Sequence, residues 1–209
     1  MKKQHFQILI AGLLVVLAGV MFLTLKSVVP AAPATRAETA SPTTAGIEGL
    51  GGEWALLNHH GQNVSHRDFT GSFRLMFFGF TYCPDVCPTE LKRLALVLQG
   101  LGAEADKITP ILVTIDPERD TPAVLKDYLA RFDERFIGLT GSVEQIKHME
   151  KLFKVYAARN DDPTLSDYMM NHSALVYLIG PDDRVLHLFH SQDTPEEMIA
   201  VLRKALAQP

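Results

Sequence analysis

FRLMFFGFTYCPDVCPTEL, residues 73–91, is the stretch on which the reading of this 209-residue chain turns. Phe73–Phe80 is a short, mostly apolar run, the pattern of a strand buried on both faces. From Pro88 to Leu101 the spacing changes, and Leu91, Leu94, Leu98 and Leu101 fall on one helical face. Between the two elements lie Cys83 and Cys87, both cysteines of the chain. Pro84 and Pro88 stiffen the loop that holds them. A strand that hands over to a helix in this way places the cysteines at the strand's carboxyl end, where open α/β sheets bind ligands.

The same alternation continues outward. Trp54–Leu57 and Gln62–Val64 flank Asn58-His59-His60-Gly61, a hairpin turn with glycine at the positive-φ position. Thr109–Ile115 is a second buried strand. Thr121-Pro122 opens a helix over Ala123–Phe132, and Ser142-x-x-Gln145 and Thr194-x-x-Glu197 have capping-box spacing. Ala174–Ile179 and Arg184–Phe189, joined by Gly-Pro-Asp-Asp, form a late hairpin. The resulting order is hairpin, strand, helix, strand, helix, short strand, helix, hairpin, helix. It predicts a three-layer α/β sandwich with a mixed sheet, parallel early and antiparallel late.

Two cysteines separated by three residues can form a disulfide or place two sulfurs on one metal. Cys87 stands near a helix N-terminus, where the dipole and free N–H groups favour thiolate. A purely structural disulfide across so small a loop adds little stability. Inert core thiols fit poorly with a proline-bracketed loop at a strand's carboxyl end. Chemistry is the better reading, either redox or, with an imidazole added, a soft metal. Of the eight histidines, His59 and His60 sit in a turn, and His66 and His148 read as surface positions. His187 and His190 alternate with apolar residues on a strand, and His172 stands in the loop before Ala174–Ile179. Composition alone does not choose among them.

The N-terminus has a separate character. After residues 1–7, with Lys2 and Lys3, Ile8–Leu25 is an uncharged stretch that as a helix would run about 27 Å, close to a bilayer core. The positive-inside rule keeps the lysines in the cytoplasm and sends the rest across. A cleaved signal peptide is the competing reading, and Ala32-Pro33-Ala34 resembles a cleavage site. The apolar core is longer than signal peptides use, which favours a retained transmembrane anchor. Residues 26–46, rich in Pro, Ala, Thr and Ser, read as a flexible linker to a domain over 47–209. Net charge is −4 overall and +3 through Gly46, so the domain carries the difference, −7. No basic stripe is present, which speaks against nucleic acid as a partner.

Thr81-Tyr-Cys-Pro-Asp-Val-Cys-Pro-Thr-Glu90, Asp116-Pro-Glu-Arg-Asp-Thr-Pro122 and Asn171-His-Ser173, in that order and spacing, resemble the Sco/SenC family. Its members are membrane-tethered, thioredoxin-like copper carriers for assembly of cytochrome c oxidase. The resemblance runs from about Ile47 to the last helix. It implies a thioredoxin-like fold and one copper ion, Cu(I) and in some states Cu(II), held by Cys83, Cys87 and His172. The implied partners are the copper-bearing subunit of the oxidase, other copper carriers and thioredoxin-like reductants. The implied place is the bacterial inner membrane, with the domain on the periplasmic side. The family commonly has Asp before this histidine, where this chain has Asn171. Asp116, at the end of its strand, is expected beside the site or at a docking surface. Asp120 is expected to be a structural acid near the helix start.

Two thiolates and a neutral imidazole suit Cu(I), which accepts few, soft donors. The rival from another class is a membrane-anchored thiol-disulfide oxidoreductase in which Cys83 and Cys87 cycle between dithiol and disulfide. Their three-residue spacing departs from the Cys-x-x-Cys of general oxidoreductases. The two roles are compatible. A structural zinc site fits poorly, since closed zinc sites want four ligands.

Overall fold

The computed structural model describes residues 46–162, 164 and 167–208. The anchor expected at 8–25 and the linker through residue 45 lie outside the described residues. Among the described residues no helix is long and apolar enough to cross a membrane.

In chain order the elements are β1 (Ala55–Asn58), β2 (Asn63–Ser65), β3 (Phe73–Gly79), α1 (Val86–Leu101), β4 (Ile108–Thr114) and α2 (Pro122–Leu129). There follow β5 (Ile137–Thr140), α3 (Val143–Leu152), β6 (Ala157–Asn160), β7 (Met169–His172), β8 (Val176–Ile179), β9 (Val185–Phe189) and α4 (Pro195–Leu206). Seven strands form one sheet in the order β2-β1-β5-β4-β3-β8-β9. β3, β4 and β5 are parallel, while β8 runs antiparallel to β3 and β9 to β8. β1 is also antiparallel to β5. The sheet is therefore parallel only at its centre and antiparallel at both edges, which corrects the expectation of parallel early and antiparallel late. The physical reason is that the first hairpin joins the far edge beside β5 rather than β3.

The central strands are sealed on both faces. Leu75 through Phe78 and Ile111 through Val113 have no exposed surface. On one face a Cβ added at Gly79 would meet Phe77 and Leu112, and one at Gly138 would meet Leu125 and Leu129 of α2. α1 covers this face too, with Leu91, Leu94 and Leu98 fully buried, and α4 lies against α1. On the other face Phe78 packs on Tyr177 and on Phe153 at the end of α3, with ring centroids 5.6 and 5.5 Å away. These layers bury large aliphatic and aromatic side chains, each contributing roughly 1.5–3 kcal/mol when fully withdrawn from water.

The capping signals act as read. Ser142 and Thr194 accept the N–H groups of Gln145 and Glu197 in reciprocal capping boxes, and Thr121 accepts from Val124 at the start of α2. β6 and β7 were not expected. They form a separate two-stranded antiparallel ribbon. His172 is therefore the last residue of β7 and not a loop residue, as its sequence position had suggested.

Candidate metal centre

The cysteine side of the site is built where β3 ends. The Ile115 N–H donates to the Gly79 carbonyl, extending the parallel pairing of β3 and β4 by one step. The chain then turns outward, and the buried carboxylate of Asp120 fixes that turn. It accepts the Thr81 N–H at 3.0 Å, the Thr81 hydroxyl at 2.6 Å and the Thr114 hydroxyl at 2.6 Å. Asp120 thus ties the start of the cysteine loop to the end of β4. Burial pushes its pKa up against the effect of those bonds.

α1 begins without a side-chain oxygen cap, for the Asp85 carboxylate makes no capping bond. Instead the Cys83 sulfur accepts the Cys87 N–H at 3.4 Å. The sulfur thereby occupies the anion-favouring position at a helix N-terminus. This reverses the expectation for the two thiols. Cys83 is held far below the usual thiol range, first by a hydrogen bond from the Cys87 thiol, with the Cys87 N–H adding to it. Cys87 is pushed up, because its proton is donated to Cys83 and because it is buried. Cys87 lies inside the first turn of α1 with no exposed surface, whereas Cys83 is half-exposed. Both are free thiols.

Gly79 makes room for this arrangement. A Cβ there would lie 2.9 Å from the Cys87 sulfur and 2.8 Å from the Phe77 ring, closer than carbon and sulfur tolerate. Its role is close approach and not backbone freedom.

His172 reaches the cysteines from the ribbon. Its Nε2 lies 3.5 Å from the Cys87 sulfur and its Nδ1 lies 3.1 Å from the Ser173 carbonyl. A carbonyl only accepts, so Nδ1 carries the proton and Nε2 presents its lone pair to the sulfurs. Phe77 and Phe80 meet the imidazole edge-on, at 6.0 and 5.9 Å between centroids, and give the site an apolar floor. Ligand atoms of Cys83, Cys87 and His172 all lie within 4.8 Å of one another. Among the described residues this is the one cluster of three or more His, Cys, Asp or Glu able to hold a metal. Two of the other described histidines are engaged elsewhere: the Nδ1 of His59 accepts the Gly138 N–H, and His187 is buried on β9.

A protein-family model described as SCO1/SenC matches residues 42–207. The chain belongs to that family. Protein sco1 of Schizosaccharomyces pombe is 40% identical over 158 residues, a match covering 74% of this chain and 60% of that protein. The structure of Bradyrhizobium japonicum ScoI with copper bound superposes with a TM-score of 0.70 at 40% identity, covering 75% of this chain and 99% of that one. A third relative is BsSco, solved in a study of a disulfide switch and described as a member of the Sco family of cytochrome c oxidase assembly proteins. It superposes with a TM-score of 0.64 at 26% identity, covering 81% of this chain and all of that one. The mixed-sheet, thioredoxin-like α/β architecture is common to this chain and these family structures.

Asp116 and its neighbours complete the surroundings. Asp116 is buried and receives the Arg119 Nε–H and the Tyr168 hydroxyl. It does not reach the sulfur–imidazole cluster and acts on residues beside it. The sequence reading missed Arg119, Tyr82 and Tyr168, which meet here. Arg119 was visible only as one letter of the Asp116–Pro122 motif, and nothing local marked the tyrosines. Asn171 is exposed on β7 and pairs with Ala158 across the ribbon.

Proposed function

We propose that this chain is a copper carrier for the assembly of cytochrome c oxidase, with Cys83, Cys87 and His172 as the ligands of one copper ion. Copper is cargo here. The observation that carries the reading is the donor set itself: two sulfurs and one imidazole nitrogen of the correct tautomer, converging on one point. Two soft thiolates and one neutral imidazole suit Cu(I), and three ligands leave a side open. That side is Cys83, the more exposed sulfur, so an acceptor's ligand enters there before Cys87 and His172 let go. The copper-bound relative and the family's place in oxidase assembly support the identity of cargo and destination.

The same sulfurs serve a second, compatible role, favoured by their contact and by the depressed Cys83 thiol. The Cys83 thiolate attacks a disulfide of the acceptor, forming a mixed disulfide and releasing one acceptor thiolate. Cys87 then loses its proton and attacks Cys83, freeing the second acceptor thiolate. Two electrons pass to the acceptor, and a Cys83–Cys87 disulfide remains for a thioredoxin-like reductant to reopen.

For topology, residues 8–25 span the inner membrane, residues 1–7 stay in the cytoplasm, and 26–46 tether the 47–209 domain on the periplasmic side. Partners are the copper-bearing oxidase subunit, an upstream copper carrier and the reductant. The full chain should therefore stay with membranes through alkaline washing; recovery as a soluble mature chain would favour signal cleavage instead.

Titration of the reduced full chain with Cu(I) should saturate at one ion per chain. The Cys83→Ser/Cys87→Ser double variant should retain none, and undiminished one-to-one binding by it would overturn the carrier reading.

A further inference from the structure

We propose that Arg119 is the positioning residue that clamps the His172 ribbon to the cysteine loop, and so determines whether the imidazole can join the two sulfurs on one ion. The inference rests on the reading of His172 as a copper ligand.

The guanidinium of Arg119 lies 4.6 Å from the ring centroid of Tyr82 and 3.7 Å from that of Tyr168. Tyr82 immediately precedes Cys83, and Tyr168 immediately precedes β7, whose last residue is His172. One cation therefore bridges the two segments that supply the donors. Its Nη1 also donates to the Tyr168 carbonyl at 3.0 Å, fixing ribbon backbone as well as ring. Asp116 anchors the assembly, taking the Arg119 Nε–H on one oxygen and the Tyr168 hydroxyl on the other at 2.7 Å. The Asp116 N–H in turn donates to the Thr114 hydroxyl at the end of β4. The Arg119 Nη2 is buried and finds no hydrogen-bond acceptor among the described residues. Ring faces flanking the cation offset that loss.

Arg159 on β6 lies 3.7 Å from the Tyr168 centroid as well. Two guanidinium groups so close to one ring must take opposite faces, so Tyr168 is sandwiched between the loop after β4 and the ribbon's first strand. This matters because the ribbon shares no strand pairing with the seven-stranded sheet. A two-stranded hairpin is marginal by itself. At its His172 end the ribbon is extended by one further pair, the Ser173 N–H donating to the Tyr156 carbonyl and the Tyr156 N–H to the Ser173 hydroxyl. Lysine at 119 would keep the charge and lose both the planar stack and the fork of donors.

The test uses the full chain with Arg119→Ala, alone and combined with His172→Ala. In the metal-free reduced protein, amides of 157–160 and 169–172 should exchange about tenfold or more faster, while those of β3 and β4 are unchanged. For Cu(I), Arg119→Ala should lower affinity about tenfold or more when His172 is present and less than about twofold when it is Ala. An equal loss in both backgrounds, no loss in either, or unchanged ribbon exchange would overturn the clamp. If His172→Ala alone left Cu(I) affinity intact, the ligand reading would fail, and ribbon exchange would then decide the clamp by itself.

Discussion

Cys87 sits in a helix packed over central strands with no exposed surface, whereas His172 ends a strand of a four-residue-by-four-residue ribbon outside the main sheet. The two halves of one site thus rest on scaffolds of different stiffness. The sulfur side is fixed by the β3–β4 pairing, the Asp120 bonds and the close approach at Gly79. The imidazole side is fixed by side chains, chiefly the Tyr82–Arg119–Tyr168 stack. On the proposed carrier reading, a site that must hold an ion and then give it up benefits from this division. Two donors keep their geometry while the third can swing away, because side-chain contacts open at lower cost than a buried ladder.

The comparison breaks most sharply at the sulfurs. Cys87→Ser should abolish copper retention, since one thiolate and one imidazole make a poor site for a soft ion. Equilibrium competition with a Cu(I) chelator reads this. His172→Ala comes next, with Cu(I) affinity falling by about 100-fold or more and dithiol exchange retained. Collapsed dithiol reactivity with normal copper affinity would place the histidine in redox chemistry instead.

Alkylation of the metal-free reduced chain sharpens the contrast within the sulfur pair. Cys83 should react about tenfold or more faster than Cys87, at a rate nearly flat across neutral pH. The sign follows from its depressed pKa: the thiolate is already formed, and falling pH removes it only in strong acid. Cys87, raised by its bond to Cys83 and by burial, should react only as the solution becomes alkaline.

Gly79→Ala tests the rigid half directly. A Cβ 2.9 Å from the Cys87 sulfur forces a shift that should cost about 1–3 kcal/mol, read by thermal or denaturant unfolding, and should weaken copper binding too. The smallest effect is at Ser142, which caps α3 remote from the sulfurs. Ser142→Ala should cost about 1 kcal/mol of stability and leave copper affinity unchanged.

Legibility in the sequence divides along the same line. Phe73–Phe80 and the leucine spacing of α1 announce a buried strand and an amphipathic helix, and the prolines and cysteines between them mark the loop. Capping residues at 121, 142 and 194 place three helix starts. The ribbon carries no such marks. Ala157–Asn160 and Met169–His172 are half-exposed or exposed, with no alternation of apolar and polar residues, since neither strand has a face sealed against the core. The position of His172 on a strand was therefore hidden, and only the family resemblance selected it among the histidines. The Cys83–Cys87 polarity was misjudged for a related reason. Proximity to the helix N-terminus was counted along the chain, whereas the sulfur that accepts the helix N–H belongs to the residue four positions earlier.

The central claim is that one ion draws donors from both scaffolds, and X-ray absorption at the copper edge tests it most directly. The Cu(I)-loaded full chain should show a shell of two sulfurs and one imidazole nitrogen, with the nitrogen and its outer-ring scattering lost in His172→Ala. A sulfur-only shell in the unaltered chain, or an imidazole signal that survives His172→Ala, would contradict the account.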